Sequence, residues 1–146
     1  MFQANSFFSS AEQEQITSAI KLAEKQTSGE IRLFVEEKCK GELLDRASFL
    51  FAELKMHQTD ERNGVLFYLA IKDKRFAILG DGGINGKVGN HFWDEIKSKM
   101  QEHFRKTEFV SGLVNGISMA GDALKKYFPH EKDDKNELSD EIIFGK

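Results

Sequence analysis

The sequence predicts an α/β fold in which helices cover both faces of a small mixed sheet. A strand-like segment, a helical segment and a second strand-like segment follow one another between residues 30 and 71, and this order makes the two strands parallel with a right-handed crossover. The second of them, GVLFYLAI from Gly64 to Ile71, is almost continuously apolar, so we expect it at the centre of the sheet. The polar turn KDK and the segment RFAIL then complete a hairpin from Val65 to Leu79, which adds an antiparallel strand.

Each of the other predicted elements has a signal of its own. Ser9 and Glu12 have the spacing of a capping box, and apolar residues then recur at helical intervals, which predicts a first helix over about residues 10–26. The segment EIRLFVEE alternates apolar and polar residues, as a strand does. Three more helices follow from apolar stripes: the second around Leu43, Ala47, Leu50, Phe51 and Leu54, the third around Phe92, Trp93, Ile96 and Met100, and the fourth from Glu108 to Phe128.

Length and charge divide the chain into one domain and a tail. With 146 residues and 40% hydrophobic content, the chain is the size of one domain with a real core. Pro129 divides residues 1–128, the domain, from residues 129–146, an acidic C-terminal tail that accounts for the net charge of −3. The domain itself has balanced charge and no basic patch, which predicts no binding to nucleic acid.

The chain carries no signal for a membrane or an oxidising compartment. Its N-terminus lacks a signal peptide, and no segment approaches the ~20 apolar residues that a membrane span needs. We therefore expect a soluble, cytoplasmic protein with no membrane span. The single cysteine, Cys39, excludes an internal disulfide and a structural zinc site built of cysteines.

A glycine-rich loop, AILGDGGINGKVGNHFW over residues 77–93, is the first candidate site. It fails the phosphate-loop pattern, since Asp81 and Val88 stand at its first and last positions, and it fails the dinucleotide fingerprint at Asn85. The segment DGGING instead matches the start of a calcium loop, with Asp81 at position one and Asn85 at position five. The glutamate of position twelve is missing, because Phe92 stands there, so further ligands would have to come from elsewhere.

The predicted topology supplies those ligands. The hairpin returns the end of the third strand to the edge where the first two strands begin, and the last helix comes back to the same edge. Carboxylates gathered there would repel one another unless a cation or proton neutralised them, and calcium or magnesium suits oxygen ligands. The alternative is that these acids are solvated or pair with Arg32 and Arg62. The candidate metal ligands are Asp81, Asn85, Glu30, Asp60 and Asp122.

Other catalytic patterns are poor, and the catalytic residues stay unknown. Cys39 and Arg46 are one residue further apart than a tyrosine-phosphatase cradle allows. The four histidines show no metal-ligand spacing.

Three longer segments resemble the TPM domain family, in particular its short, membrane-free bacterial members. They are GEIRLFVEEKC, RASFLFAELKMHQTDERNGVLFYLAIKDKRFAILGDGGINGKVG and the tail DDKNELSDEIIFG, and their most specific pieces are RNGVLFYLA and FAILGDGGI. The resemblance implies a three-layer α/β/α sandwich. It also implies a family of divided function, with an acid phosphatase assignment for a thylakoid member, receptor modulation by another member and calcium binding by some. The acidic loop positions of the family fall on Asp81 and its surroundings.

Two functional hypotheses follow. In the first, calcium or magnesium is bound by Asp81 and supports weak phosphatase activity, with Arg62 holding the phosphate. In the second, the protein is a non-catalytic interaction module whose loops are stiffened by metal. The tail favours the second slightly, because Ile142, Ile143 and Phe144 follow its acidic run. We expect residues 138–144 to fold back onto the domain or to bind a protein partner as an extended segment.

Overall fold

A computed structural model describes residues 7–89, 91–130 and 140–145 of the chain. The α/β prediction is confirmed: a four-stranded mixed sheet of order β3-β2-β1-β4 lies between layers of helices. The elements in chain order are α1 (Ser10–Glu24), β1 (Glu30–Glu36), α2 (Leu43–Glu53), a 3-10 turn (Met56–Gln58), β2 (Gly64–Ala70), β3 (Arg75–Gly80), α3 (Gly82–Val88), α4 (Phe92–Arg105), α5 (Phe109–Tyr127) and β4 (Ile143–Phe144).

The strand registers confirm the predicted topology of the first three strands. β1 and β2 are parallel, with Glu30 opposite Gly64. β2 and β3 are antiparallel, with Val65 opposite Gly80. The end of β3 therefore lies at the same sheet edge as the starts of β1 and β2, and the residue after it, Asp81, lies there too.

The two faces of the sheet bury separate cores. β2 is buried along its whole length, as its apolar sequence predicts. Helix α2 covers one face, where Leu50, Phe51 and Tyr68 are among the buried side chains. Helices α1, α4 and α5 cover the other face, with residues such as Ile20 and Phe67 between them and the sheet.

The small-residue side of α5 allows this close packing. A Cβ atom on Gly116 would lie 2.6 Å from the Met100 sulfur, and one on Gly121 would lie 2.7 Å from the Ala23 Cβ atom. Real Cβ contacts are not this short, so a larger residue at Gly121 would push α5 away from α1, and one at Gly116 would force the buried Met100 side chain to move. Within the described residues, no helix combines the length and the apolar character that crossing a bilayer requires.

The C-terminal segment supplies the fourth strand, which confirms that its apolar part folds back. Ile143 pairs with Phe34 and Phe144 with Val35, both parallel to β1. Ile142 and Phe144 pack against the larger core and Ile143 against the smaller one, which is the alternation of a strand. Residues 131–139 of the predicted tail lie outside the described residues, and the predicted domain boundary at residue 128 stays a prediction.

Candidate functional site

Asp81 begins a helix where the sequence suggested a metal-binding loop. It is the N-cap of α3, and its Oδ1 atom accepts a hydrogen bond of 2.7 Å from the Gly82 N–H. Its carbonyl oxygen accepts from the Asn85 N–H at 3.0 Å. Asp81 is only 6% exposed, so the carboxylate must be stabilised by the protein rather than by water.

Arg62 provides that stabilisation. Its Nε atom lies 2.7 Å from Asp81 Oδ2, and its Nη2 atom lies 2.8 Å from Oδ1, which is the two-pronged geometry of a strong ion pair. Partial burial would raise the pKa of Asp81, but the hydrogen bonds from Arg62 and Gly82 outweigh it and hold this pKa below its ordinary value. The same ion pair raises the pKa of Arg62. Asp81 is therefore an ionised, paired group, which is the alternative that the sequence left open.

Asn85 is also occupied by contacts within the protein. Its Nδ2 atom donates to the Gly80 carbonyl at 2.8 Å, and its Oδ1 atom accepts from the Trp93 indole N–H at 2.8 Å. The amide thereby ties α3 to the end of β3 and to the first turn of α4. In this geometry the Asn85 Oδ1 atom stabilises the fold by accepting the Trp93 hydrogen bond, and it is not directed toward a cation site.

Gly83 fixes α3 against the turn that carries Arg62. Its N–H donates to the Arg62 carbonyl at 2.7 Å. A Cβ atom on Gly83 would lie 2.1 Å from the Glu61 carbonyl oxygen and 2.5 Å from the Arg62 carbonyl oxygen. The glycine is required here because two backbone segments touch.

The other candidate ligands do not join this pair. Glu30 is buried at the start of β1, whereas Asp60 and Asp122 are exposed. In the part of the chain that the structure describes, no group of three or more histidine, cysteine, aspartate or glutamate side chains is arranged to hold a metal ion. The assignment of Asp81, Asn85, Glu30, Asp60 and Asp122 as metal ligands stays a prediction.

Glu30 instead belongs to an acidic group that the sequence did not reveal. Glu24, at the end of α1, accepts a hydrogen bond of 2.7 Å from the Ile31 N–H. Burial raises the pKa of Glu24 to about 11, with further contributions from the carboxyl groups of Asp140 and Glu30. Arg32 is the neighbouring cation, and burial lowers its pKa. Asp140 joins the group only when the C-terminal segment folds back, so the complete group gives no shared signal in the sequence.

A second polar network lies at the other end of β1 and was also missed. Glu36 is 1% exposed and receives Arg46 Nε and Nη2, each at 2.9 Å. The Tyr68 hydroxyl donates to the same carboxylate, and burial together with Glu36 raises the pKa of Tyr68. This buried carboxylate is fully engaged by its partners, and Arg46 is not available to hold a phosphate near Cys39.

A family model and several solved structures match most of the chain. The family model of the TPM domain matches residues 1–123. The NMR structure of the BA42 protein from the psychrophilic bacterium Bizionia argentinensis is similar, with 46% sequence identity and a TM-score of 0.91. The match covers 99% of this chain and 100% of that one. A search of curated protein sequences found no match.

Two more distant structures share the fold alone. The N-terminal domain of a protein from P. gingivalis has 19% identity and a TM-score of 0.69, over 86% of this chain and 83% of that one. The N-terminal domain of the cg2496 protein from Corynebacterium glutamicum has 12% identity and a TM-score of 0.65, over 81% of this chain and 74% of that one.

Proposed function

This chain belongs to the TPM domain family, and we propose that within the family it acts as a non-catalytic protein-binding module. The observation that carries the proposal is the added strand β4. It occupies the edge of β1 as a short parallel strand of two residues, and it brings its apolar side chains to both cores. An edge that accepts one extended segment can accept another of similar chemistry.

The contacts of β4 are few enough for a partner to compete with it. Beyond the two paired residues, the Gly145 N–H donates to the Val35 carbonyl at 2.8 Å. Ile142, Ile143 and Phe144 are each only partly buried, so each contributes less than the ~1.5 to 3 kcal/mol of a fully buried side chain. Ordering the segment costs ~1 to 2 kcal/mol for each residue. The balance is close, so a peptide that makes more contacts with the edge than the segment does can displace the segment when it is present above the segment's effective concentration.

The experiment uses two forms of the protein. One is the full chain, and the other ends at residue 139, so that the edge of β1 is open. Peptide display on the shorter form is expected to select extended sequences with consecutive apolar residues. The synthetic segment of residues 139–146 should compete with them, whereas the same peptide with serine in place of Ile142, Ile143 and Phe144 should not.

The full chain should bind the selected peptides more weakly than the shorter form, because its own segment occupies the edge. Hydrogen exchange should show new protection along β1 when a peptide binds. Two results would contradict the proposal. In the first, the synthetic segment of residues 139–146 does not compete with the selected peptides, and in the second, no peptide binds saturably to the shorter form.

We also propose that the module binds calcium or magnesium at Asp81 and that the bound metal stiffens the loops around this residue. What supports it is the buried Asp81 carboxylate at the start of α3, together with the resemblance of the segment DGGING to the start of a calcium loop. A cation at Asp81 would have to replace the Arg62 guanidinium. That exchange is open to it, because the Arg62 side chain is 56% exposed and can turn into water.

This competition gives the metal proposal a test with opposite signs. Arg62→Gln should tighten calcium binding, because it removes the competing cation, and Asp81→Asn should abolish it. Calorimetry with calcium and then magnesium measures both effects, and Lys55→Gln, an exposed change of the same charge, is the control. Equal calcium affinities in the wild type and the three variants would show that Asp81 is not a metal ligand. If no heat of binding is measured at millimolar calcium or magnesium, the protein binds neither metal and this part of the proposal is wrong.

Slow hydrolysis of phosphate esters is the second candidate function. The observation that favours it is the pairing of an exposed guanidinium with a carboxylate at one sheet edge. A cation on Asp81 and a phosphate on Arg62 would then be neighbours, and the cation would polarise the phosphoryl oxygen. Turnover of a generic phosphate ester that requires metal and disappears in Asp81→Asn would support this candidate over the non-catalytic one.

A further inference from the structure

A cavity lies at the end of the sheet opposite Asp81, between the β2–β3 hairpin turn and the loop that joins α4 to α5. Its volume is about 290 Å³, near the lower limit of pockets that hold small organic ligands. Most of its wall is apolar, and the side chains that form this part are Leu69, Ile71, Phe76, Phe104 and Phe109.

The phenylalanine side chains of the cavity are held in place by one another. The rings of Phe76 and Phe104 meet edge to face with centroids 5.0 Å apart, and those of Phe104 and Phe109 are 5.4 Å apart. All three are only partly buried. The cavity therefore presents aromatic surface in a fixed arrangement, and a ligand that covers this surface gains hydrophobic free energy without reorganising the wall.

The mouth of the cavity is positively charged. Lys74 and Arg105 contribute to its lining and are exposed. Among residues 7–89, 91–130 and 140–145, neither has an ion-pair partner. Glu108, the acid of the loop between α4 and α5, has its Oε1 atom 3.0 Å from the His103 Nδ1 atom.

The N-terminus of helix α5 also lies at the cavity, because its first residue, Phe109, is part of the wall. Its N-cap is an acid, Glu108, so this end of the helix adds no net positive charge to the mouth.

Both loops at the mouth have a residue in left-handed backbone conformation. Lys74 has φ of 55° and Thr107 has φ of 59°. Such conformations are unfavourable for these residue types, and they persist where the surrounding structure holds them. The positions of the two loops are therefore fixed by the fold.

We propose that this cavity binds a small amphiphilic carboxylate, such as a medium-chain fatty acid, with its hydrocarbon body against Phe76, Phe104 and Phe109 and its carboxylate at Lys74 and Arg105. The apolar wall selects for a hydrocarbon body, and Lys74 and Arg105 at the mouth select for a negative charge. A neutral ligand of the same shape would use the wall but not the mouth. A free phosphate would use the mouth but not the wall.

The test is a titration of the full chain at pH 7.5 with hexanoate, octanoate and decanoate, each below its micelle concentration, followed by NMR and calorimetry. Affinity should increase by about four-fold for each added methylene until the cavity is full. The chemical-shift changes should centre on the cavity wall. The matched alcohols, hexanol and octanol, should bind more weakly than the acids of the same length.

Charge variants separate the contribution of the mouth from that of the wall. The double variant Lys74→Gln, Arg105→Gln should weaken octanoate binding by at least about tenfold, which is the lower limit for the loss of a hydrogen bond to a charged group, and leave octanol binding unchanged. The control is Lys99→Gln, Lys125→Gln, which removes the same charge from exposed positions outside the cavity and should leave octanoate binding unchanged.

Three results would overturn the proposal. They are the absence of saturable binding of any acid, equal weakening by the two double variants, and shift changes centred on the β1 edge. The last would assign the apolar ligand to the peptide-binding edge instead. Because the test never involves β4 or Asp81, its failure leaves the proposed protein-binding function standing.

Discussion

Gly83 offers the sharpest test of how the Asp81 region is built. Replacing it by alanine puts a Cβ atom where the structure has 2.1 Å to the Glu61 carbonyl oxygen. Contacts below 3.0 Å do not occur for real Cβ atoms, so α3 and the preceding turn must move apart by about an ångström. That movement also stretches the hydrogen bond from the Gly83 N–H to the Arg62 carbonyl.

The expected loss of stability is the sum of two effects. Overpacking of this kind costs ~1 to 3 kcal/mol, and the weakened hydrogen bond adds ~0.5 to 1.5 kcal/mol. For a chain of this length, each kcal/mol lowers Tm by about 2 to 4 °C, so Gly83→Ala should lower it by roughly 3 to 18 °C. Gly86→Ala is the matched control, since it lies on the same helix with nothing within 4 Å of its Cβ position. It should stabilise the protein by ~0.4 to 1 kcal/mol.

Scanning calorimetry measures both variants, and NMR of the Arg62 side chain reports whether the ion pair with Asp81 is lost with the helix contact. We expect the Arg62 Nε–H signal to move in Gly83→Ala and to stay unchanged in Gly86→Ala. If Gly83→Ala and Gly86→Ala have the same Tm, the close approach of α3 to the turn that carries Arg62 is wrong. The geometry of the ion pair between Arg62 and Asp81 would then be wrong too.

Two predictions concern metal and catalysis. Calcium or magnesium at a hundred times its dissociation constant should raise the free energy of unfolding by ~2.7 kcal/mol, while the far-UV helical signal should survive chelation, because the two cores do not depend on the Asp81 region. Loss of that signal on chelation would make the metal structural. Any phosphatase turnover should stay well below the typical enzyme value of ~10 per second. The reason is that, among the described residues, Arg62 is the one cation paired with Asp81 and no nucleophile adjoins the pair. A turnover of ~10 per second on a defined substrate would contradict this prediction.

The sequence predicted the strands and long helices because their signals are local. β2 is apolar throughout, and the capping box of Ser9 and Glu12 is present as expected. Helix α3 was not predicted, since glycine has poor helix propensity and α3 contains three glycines among its seven residues. What holds α3 is tertiary: the Asp81 cap, the contact of Gly83 with the neighbouring turn and the hydrogen bonds of Asn85.

The candidate site was harder to predict, for a physical reason. Topology correctly brought Asp81 to the edge where β1 and β2 start. It could not tell which of several nearby charged groups would pair, because pairing depends on side-chain direction over a few ångströms. Arg62 reached Asp81 from a left-handed turn conformation, with φ of 54°, which no sequence period encodes. Glu24 and Asp140 are separated by most of the chain, so only the folded tail brings them together.

The contact between Glu24 and Asp140 makes docking of the tail dependent on pH. Asp140 lies three residues before Ile143, the first residue of β4. Burial raises the pKa of Glu24 far above its ordinary value of 4.5, and the hydrogen bond and negative charge of Asp140 raise it further. Glu30 raises this pKa too, and Arg32 is the neighbouring cation. Because Asp140 contributes only while the tail is docked, docking favours the protonated form of Glu24. An acid with a raised folded-state pKa favours the proton-bound state, so its contribution to docking is largest at low pH and declines as the pH rises from about 4.5 toward about 11.

Docking of β4 should therefore weaken between pH 6 and pH 9, and the β1 edge should become more available to a partner. Hydrogen exchange of the Gly145 amide, corrected for the intrinsic pH dependence of exchange, measures the docked fraction. Glu24→Gln keeps a neutral, hydrogen-bonding side chain at this position, so it should stay docked across the range and remove most of the pH dependence. If the wild type and Glu24→Gln release β4 in parallel as the pH rises, the proton is held elsewhere, and the link between the acidic group and the β1 edge does not exist.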